Sequence, residues 1–288
     1  MPTLADHFEE LIRRASTVLP SDVERKLKEA AEAEGDTPAG ATLRQMLDNA
    51  AQATEASTPI CQDTGTPIFY IDYGPDHRQK TIEEAVRRAA AQATRKYYLR
   101  PNAVHPVTGK NSGDNTGEGF PYIHFHERDE DGLSVRLMLK GGGSENVGAQ
   151  YRLPDGQLKA GRDLEGVRRC VIDAVFQAQG KGCAPGTIGI GIGGDRGSSY
   201  IESKEQLFRA LDDRNPDAQL AELEQRLYRE LNELQIGPMG FGGKTTVLGV
   251  KAGIRHRVPA CFFVSVTYVC WAYRRASMTL KGEEVSYA

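Results

Sequence analysis

The sequence predicts a mixed α/β (α+β) protein in which a helical N-terminal part packs on a mixed α/β part with a Gly-rich strand. Three patterns predict it. Apolar residues in the first sixty positions recur at the helical period. Beyond them, short β-rich runs alternate with capped helical segments. Finally, Gly186 to Gly194 alternates glycine with Ile188, Ile190 and Ile192, giving a strand with one branched aliphatic face and one of bare backbone. With 288 residues, 39% of them apolar, the chain can bury a sizeable core without staples. Residues 1–288 are expected to form one catalytic-type domain, with 1–60 helical and 61–275 carrying the functional motifs.

Leu4, Phe8, Leu11, Ile12, Ala15 and Val18 share one helical face, and Pro20 ends that helix. Ser21 with Glu24 forms a capping box for a second helix that stops at Gly35. Thr81 with Glu84 predicts the same start for a helix running to about Tyr98. Between them, the turn Thr64-Gly65-Thr66-Pro67 leads into a strand at Ile68–Ile71. Residues 100–121 form a long polar loop with no apolar period, of a length that usually binds something. Val135, Leu137 and Leu139 alternate with polar or longer residues as a half-buried strand does, and run into Gly141-Gly142-Gly143-Ser144. Asp163 caps a helix to about Gln179, and Ser203 with Gln206 predicts another cap. Leu220, Leu223, Leu227, Leu231 and Leu234 line a longer helix that ends at Ile236-Gly237-Pro238. A strand over Phe262–Tyr268 is the last clear element.

A formal net charge of -3, with no extended Lys/Arg run, argues against a nucleic-acid stripe and for a small-molecule partner. The most apolar stretch, Val258–Ala272, is shorter than the ~20 residues of a spanning helix, so no membrane partner is expected. The acidic, amphipathic N-terminus resembles neither a signal nor a transit peptide, which predicts a cytoplasmic location. Cys61, Cys170, Cys183, Cys261 and Cys270 are an odd set without an export signal, so reduced thiols are expected.

Cys170 in mid-helix and Cys261 at the opening of an apolar strand suit small core residues. Cys61, Cys183 and Cys270 stand at the edges of elements, where thiolates can converge on a metal, although their distant spacing alone does not establish one. His124 and His126 share a strand face and read as half-exposed strand residues rather than ligands. Arg100 opens the long loop. It either complements a helix C-terminus or clamps a carboxylate. Gly189, Gly191 and Gly194 match a dinucleotide fingerprint only weakly, because the glycines lie inside the strand and the expected helix cap comes later, at Ser203.

In order along the chain stand Ile60-Cys61-Gln62-Asp63-Thr64-Gly65-Thr66, Leu99-Arg100, Asn115-Thr116-Gly117 and Lys140-Gly141-Gly142-Gly143-Ser144. Cys183-Ala184-Pro185, Ile236-Gly237-Pro238, Phe241-Gly242-Gly243-Lys244 and Cys270-Trp271-Ala272 follow. This series, from about residue 50 to 275, resembles the class I iron-sulfur fumarase and L-tartrate dehydratase family, in its α subunit or N-terminal domain. The sequence departs from the family at Cys183-Ala184-Pro185, where Cys-Pro-Pro is usual, and at Val258, where a histidine commonly precedes the proline.

The resemblance implies a 4Fe-4S cluster held by Cys61, Cys183 and Cys270, with the fourth iron left without a thiolate. It implies Asp63 and Arg100 as catalytic residues and substrate contacts from Gln62, Asp63, Arg100 and the backbone at Gly142. His256, the imidazole nearest to the family's histidine, is the remaining candidate substrate contact. A threonine base and further cationic contacts belong to a β subunit or C-terminal hydro-lyase domain that these residues do not include. The chain is therefore expected to be inactive alone and to work as a higher oligomer of such pairs.

The activity implied is the fumarate to L-malate hydration of the tricarboxylic acid cycle. L-tartrate dehydratase and mesaconate hydratase are the alternatives within the family. A nucleotide-dependent oxidoreductase using Gly189–Gly194 and a non-enzymatic iron-sulfur sensor are the alternatives outside it.

Overall fold

A computed structural model describes residues 2–288. Along the chain the helices and strands are α1 (Leu4–Thr17), α2 (Ser21–Glu34), α3 (Pro38–Ala56), β1 (Thr66–Tyr73), α4 (Gln79–Arg95), β2 (Tyr122–Glu127) and β3 (Leu133–Lys140). Then come α5 (Gly142–Asn146), β4 (Ala149–Arg152), α6 (Leu164–Ala178), β5 (Gly186–Gly193), α7 (Arg196–Glu205) and α8 (Ala218–Glu233). The last four strands are β6 (Val247–Arg255), β7 (Phe263–Val269), β8 (Arg275–Lys281) and β9 (Glu284–Tyr287). The result is mixed α/β, as the sequence predicts. No helix among the described residues is long and apolar enough to cross a membrane.

The chain divides into two compact units. The first holds the chain up to Pro20, Asn49–Gly142 and Arg274–Ala288; the second holds Ser21–Asp48 and Gly143–Tyr273. The helical first sixty residues are thus shared between the units, with the division falling inside α3.

In the first unit a five-stranded sheet has the order β2-β1-β3-β8-β9, with β2 parallel to β1 and the other pairs antiparallel. Helix α1 begins where Thr3 caps it in a box with Asp6. Its stripe of Phe8, Leu11 and Ile12 is fully buried in one core with Phe69, Ile82, Val135 and Leu137. Helix α4 starts at Gln79 after Arg78, which makes no side-chain cap bond, so the expected start at Thr81 lies two residues inside the helix. The β8–β9 hairpin, which turns at Gly282, was not expected. Its sequence is polar, but β8 pairs with β3 over six residues and buries Met278.

In the second unit a four-stranded sheet has the order β4-β7-β5-β6. Strands β5 and β6 are parallel, while β7 runs antiparallel to both β5 and β4. Ile188, Ile190 and Ile192 enter a core with α6 residues such as Val171 and α8 residues such as Leu227. Asp163 caps α6 by accepting from the Gly166 amide at 2.7 Å, as expected. Helix α2 is tied here through Asp22, which accepts from the Leu211 amide (2.8 Å), and buried Glu34, which accepts from the Thr245 amide (2.8 Å).

Helix α7 covers the bare face of β5. Its start is Asp195, which boxes with Ser198, and not Ser203, which lies inside the helix. The Ser203 hydroxyl bonds the Thr267 hydroxyl (2.6 Å), and the Ser199 hydroxyl donates to the Gly191 carbonyl (3.0 Å). A helix therefore does follow Gly194 directly, contrary to the expected spacing. A Cβ at Gly189 would lie 2.0 Å from the Ser203 carbonyl oxygen, and one at Gly191 2.0 Å from that of Ser199. The close approach that the glycines require is made by the protein's own helix. Gly189→Ala and Gly191→Ala should each cost about 3 kcal/mol or more, since backbone must move to admit the methyl. Urea unfolding should show this, with Gly156→Ala, which meets nothing within 4 Å, as a near-neutral control.

Candidate functional site

Cys61, Gln62, Asp63, Arg100 and Gly142 lie in the first unit; Cys183, Cys270 and His256 lie in the second. In the first, the turn after Cys61 is built by Asp63. One carboxylate oxygen accepts from the Gly65 amide (3.0 Å) and the other from the Gly142 amide (2.8 Å). Gly65 sits at φ +80°, and a Cβ there would lie 2.8 Å from the Leu139 backbone, so the turn presses against the end of β3. Fully buried Arg274 donates to the Asp63 carbonyl (2.5 Å), bracing the same turn. Cys61 is half-buried and Gln62 exposed. The backbone at Gly142, an expected substrate contact, gives its amide to Asp63 in this structure.

Arg100 is held by its backbone and leaves its side chain in solvent. Its amide donates to the hydroxyl of buried Thr64 (3.0 Å), and its carbonyl accepts from the Asn115 side-chain amide (2.8 Å). Asn115 is 1% exposed and uses its whole side chain. Its oxygen accepts from the amides of Asn102 (2.8 Å) and Ala103 (3.2 Å), and its nitrogen also donates to the Thr94 hydroxyl (2.9 Å). Asn115 takes φ +58°, a conformation asparagine tolerates better than most residues. One side chain therefore pins both ends of the Arg100 loop and presents a guanidinium capable of gripping a carboxylate. Asn115 and Thr64 stand in the noted motifs, but only the folded loop shows their part; nothing in the sequence pointed to Arg274 as the brace of the Asp63 turn.

In the second unit, the inner strands β5 and β7 bring two of the three candidate cysteines to one end of the sheet. Cys183 precedes β5 in a left-handed conformation (φ +56°), and Cys270 follows β7. The register Thr187 to Val269 makes them neighbours, and the Trp271 amide donates to the Cys183 carbonyl (3.2 Å). Both are half-buried thiols. Buried Tyr268 packs beside them, and burial together with the Cys270 and Cys183 sulfurs pushes its phenol upward, so it stays protonated at neutral pH. His256 follows β6, which runs parallel to β5, and so lies at the opposite end of the sheet. The eight residues of β5 put about 23 Å between those ends. His256 thus does not join Cys183 and Cys270.

Cys170 is fully buried in the core, where burial pushes its thiol up to about 12. Cys261 is half-buried in the turn before β7. Of the imidazoles on β2, His124 stacks on Tyr70 (4.5 Å between centroids) and the exposed His126 lies 3.5 Å from Asp72. Among the described residues no three His, Cys, Asp or Glu side chains form a group that could hold a metal ion.

Residues 5–279 match a family described as fumarate hydratase (Fumerase). The chain belongs to that family. It is 50% identical over 279 residues to a putative fumarate hydratase class I of Geobacillus stearothermophilus, covering 96% of this chain and 54% of that protein. The chain thus spans about half the length of that relative. It is 36% identical to a putative L(+)-tartrate dehydratase subunit alpha of Methanocaldococcus jannaschii, over 96% of this chain and 98% of the relative. To the L(+)-tartrate dehydratase subunit alpha of Escherichia coli K12 it is 31% identical, over 93% of this chain and 88% of the relative.

Asn115→Ala should cost about 2–4 kcal/mol by removing four hydrogen bonds, two of them buried and two part-buried. It should also speed hydrogen exchange at the Asn102 and Ala103 amides; unchanged exchange there would refute the bracing role. In the metal-free chain at pH 8, iodoacetamide should label Cys61, Cys183, Cys261 and Cys270 well before Cys170, as peptide mass spectrometry can follow.

Proposed function

We propose that this fumarate hydratase family member is the cluster-bearing half of a 4Fe-4S hydro-lyase that interconverts fumarate and L-malate. The observation that carries the reading is the pairing of β5 with β7, which sets the half-buried Cys183 and Cys270 near one another at one end of the sheet. These soft donors suit an iron-sulfur group, and Tyr268, an unpartnered buried hydroxyl, stands beside them. Cys61, Cys183 and Cys270 would hold the cluster. When bound, it supplies an open Lewis-acidic iron for a substrate hydroxyl.

The chain's own residues do the rest of this half's work. Arg100 pairs with a substrate carboxylate, on a loop whose backbone Asn115 and Thr64 hold still. Asp63, anchored by two amides, keeps its carboxylate from swinging and positions Gln62 and Cys61 on the same turn. The base that takes the substrate proton belongs to a β-type partner half. Relatives named as alpha subunits support that division. A cytoplasmic place in the tricarboxylic acid cycle follows from the same reading.

The 50% identity to the protein named for fumarate, against 36% and 31% to those named for tartrate, favours fumarate. The fit to nearly the full length of the M. jannaschii protein keeps L-tartrate as the second reading.

Purified without oxygen, the wild type should carry iron and sulfide. Cys61→Ser, Cys183→Ser and Cys270→Ser should each lose them, while Cys170→Ser and Cys261→Ser keep them. The reverse pattern would overturn the ligand assignment. With a β-type half present, fumarate should be hydrated with higher kcat/KM than tartrate is dehydrated. Arg100→Met should raise the KM for fumarate by about 10–100-fold, the worth of a charge-assisted carboxylate contact.

A further inference from the structure

Tyr268 is among the largest fully enclosed side chains, 2% exposed, yet its hydroxyl has no hydrogen-bond partner. An unpartnered buried hydroxyl costs about 1–3 kcal/mol, so its retention calls for an acceptor. The other enclosed tyrosine of this unit, Tyr273, donates to the Leu207 carbonyl, and half-buried Tyr151 donates to Asp173 (2.8 Å).

The position of the ring is tightly defined. A Cβ at Gly182 would lie 2.6 Å from its Cε1, and one at Gly186 2.6 Å from its hydroxyl oxygen. These two glycines bracket Cys183-Ala184-Pro185, and Cys270 lies two residues after Tyr268. The ring can occupy this place only because both positions lack a side chain. The hydroxyl is thus set against the loop of one proposed ligand and on the strand that leads to the other.

We propose that the Tyr268 hydroxyl donates a hydrogen bond to a sulfur of the iron-sulfur cluster, either the thiolate of Cys183 or Cys270 or an inorganic sulfide. Tyr268 is then a positioning and tuning residue for the cofactor. This inference rests on the cluster assignment made above. A donor aimed at sulfur stabilises the more negative, reduced cluster, so it raises the reduction potential.

The test uses the full chain, reconstituted without oxygen with iron and sulfide, as wild type and Tyr268→Phe. Tyr151→Phe serves as a control. Iron and sulfide are quantified first, and the midpoint potential is then measured by spectroelectrochemical titration with dithionite. Tyr268→Phe should retain iron and sulfide but show about a tenfold lower reduced-to-oxidised ratio at a fixed potential, a fall of about 59 mV for one electron. Tyr151→Phe should match the wild type.

Should Tyr268→Phe fail to fold, the reduced wild type still decides the question. Its paramagnetic cluster should show a coupled proton that exchanges in D2O, and selective deuteration of the tyrosine ring should report that ring within a few ångströms of the iron spin. An unchanged potential in an iron-replete Tyr268→Phe, or no exchangeable proton in the wild type, overturns the proposal while the cluster assignment stands. A wild type that takes up no iron overturns both.

Discussion

Strand β5 offers almost no side chain on one of its faces, and the carbonyl oxygens of Ser199 and Ser203 occupy the space so released. That approach of helix backbone to strand backbone governs the second unit. It lets α7 lie close enough for its serines to hydrogen-bond into the sheet at Gly191, Ser265 and Thr267. The isoleucines on the other face are then free to enter the core with α6 and α8. With β5 clamped from both sides, its pairing with β7 becomes the fixed frame from which Cys183 and Cys270 emerge.

The first unit solves a different problem by different means. Its sheet is held by an ordinary apolar core under α1 and α4, but its functional edge is built from backbone groups captured by a few polar side chains. Asn115 saturates its hydrogen-bonding capacity on the Arg100 loop, and Asp63 spends both carboxylate oxygens on the amides of its own turn and of Gly142. Buried polar groups that are fully paired give rigidity at little net cost in stability. On this frame the Arg100 side chain stands exposed.

Much of this was legible from residue order. Leu4, Phe8, Leu11 and Ile12 announce α1, Asp163 announces α6, and the glycine-isoleucine alternation announces β5 with a demand for close packing. The caps expected at Thr81 and Ser203 both lie inside helices. The Ser203 hydroxyl bonds that of Thr267 across the interface between α7 and the sheet, a contact with no local signature. The β8–β9 hairpin escaped notice because a strand shielded on one face by β3's core needs few apolar residues of its own. His256, the imidazole closest in sequence to the expected position, lies at the far end of the strand it follows, since strand direction is a property of the sheet.

The amino-acid order by itself determined the family, the helical and strand periods and the residue types that can bind soft metal and carboxylate, because each of these is written in local spacing or motif identity. Only the tertiary structure decided which cysteines are neighbours, that Gly142 lends its amide to Asp63, and that Asn115 rather than Arg100 itself sets the loop. Those outcomes depend on strand register and on hydrogen bonds between residues far apart in the chain, and such contacts exist only once the sheets have formed.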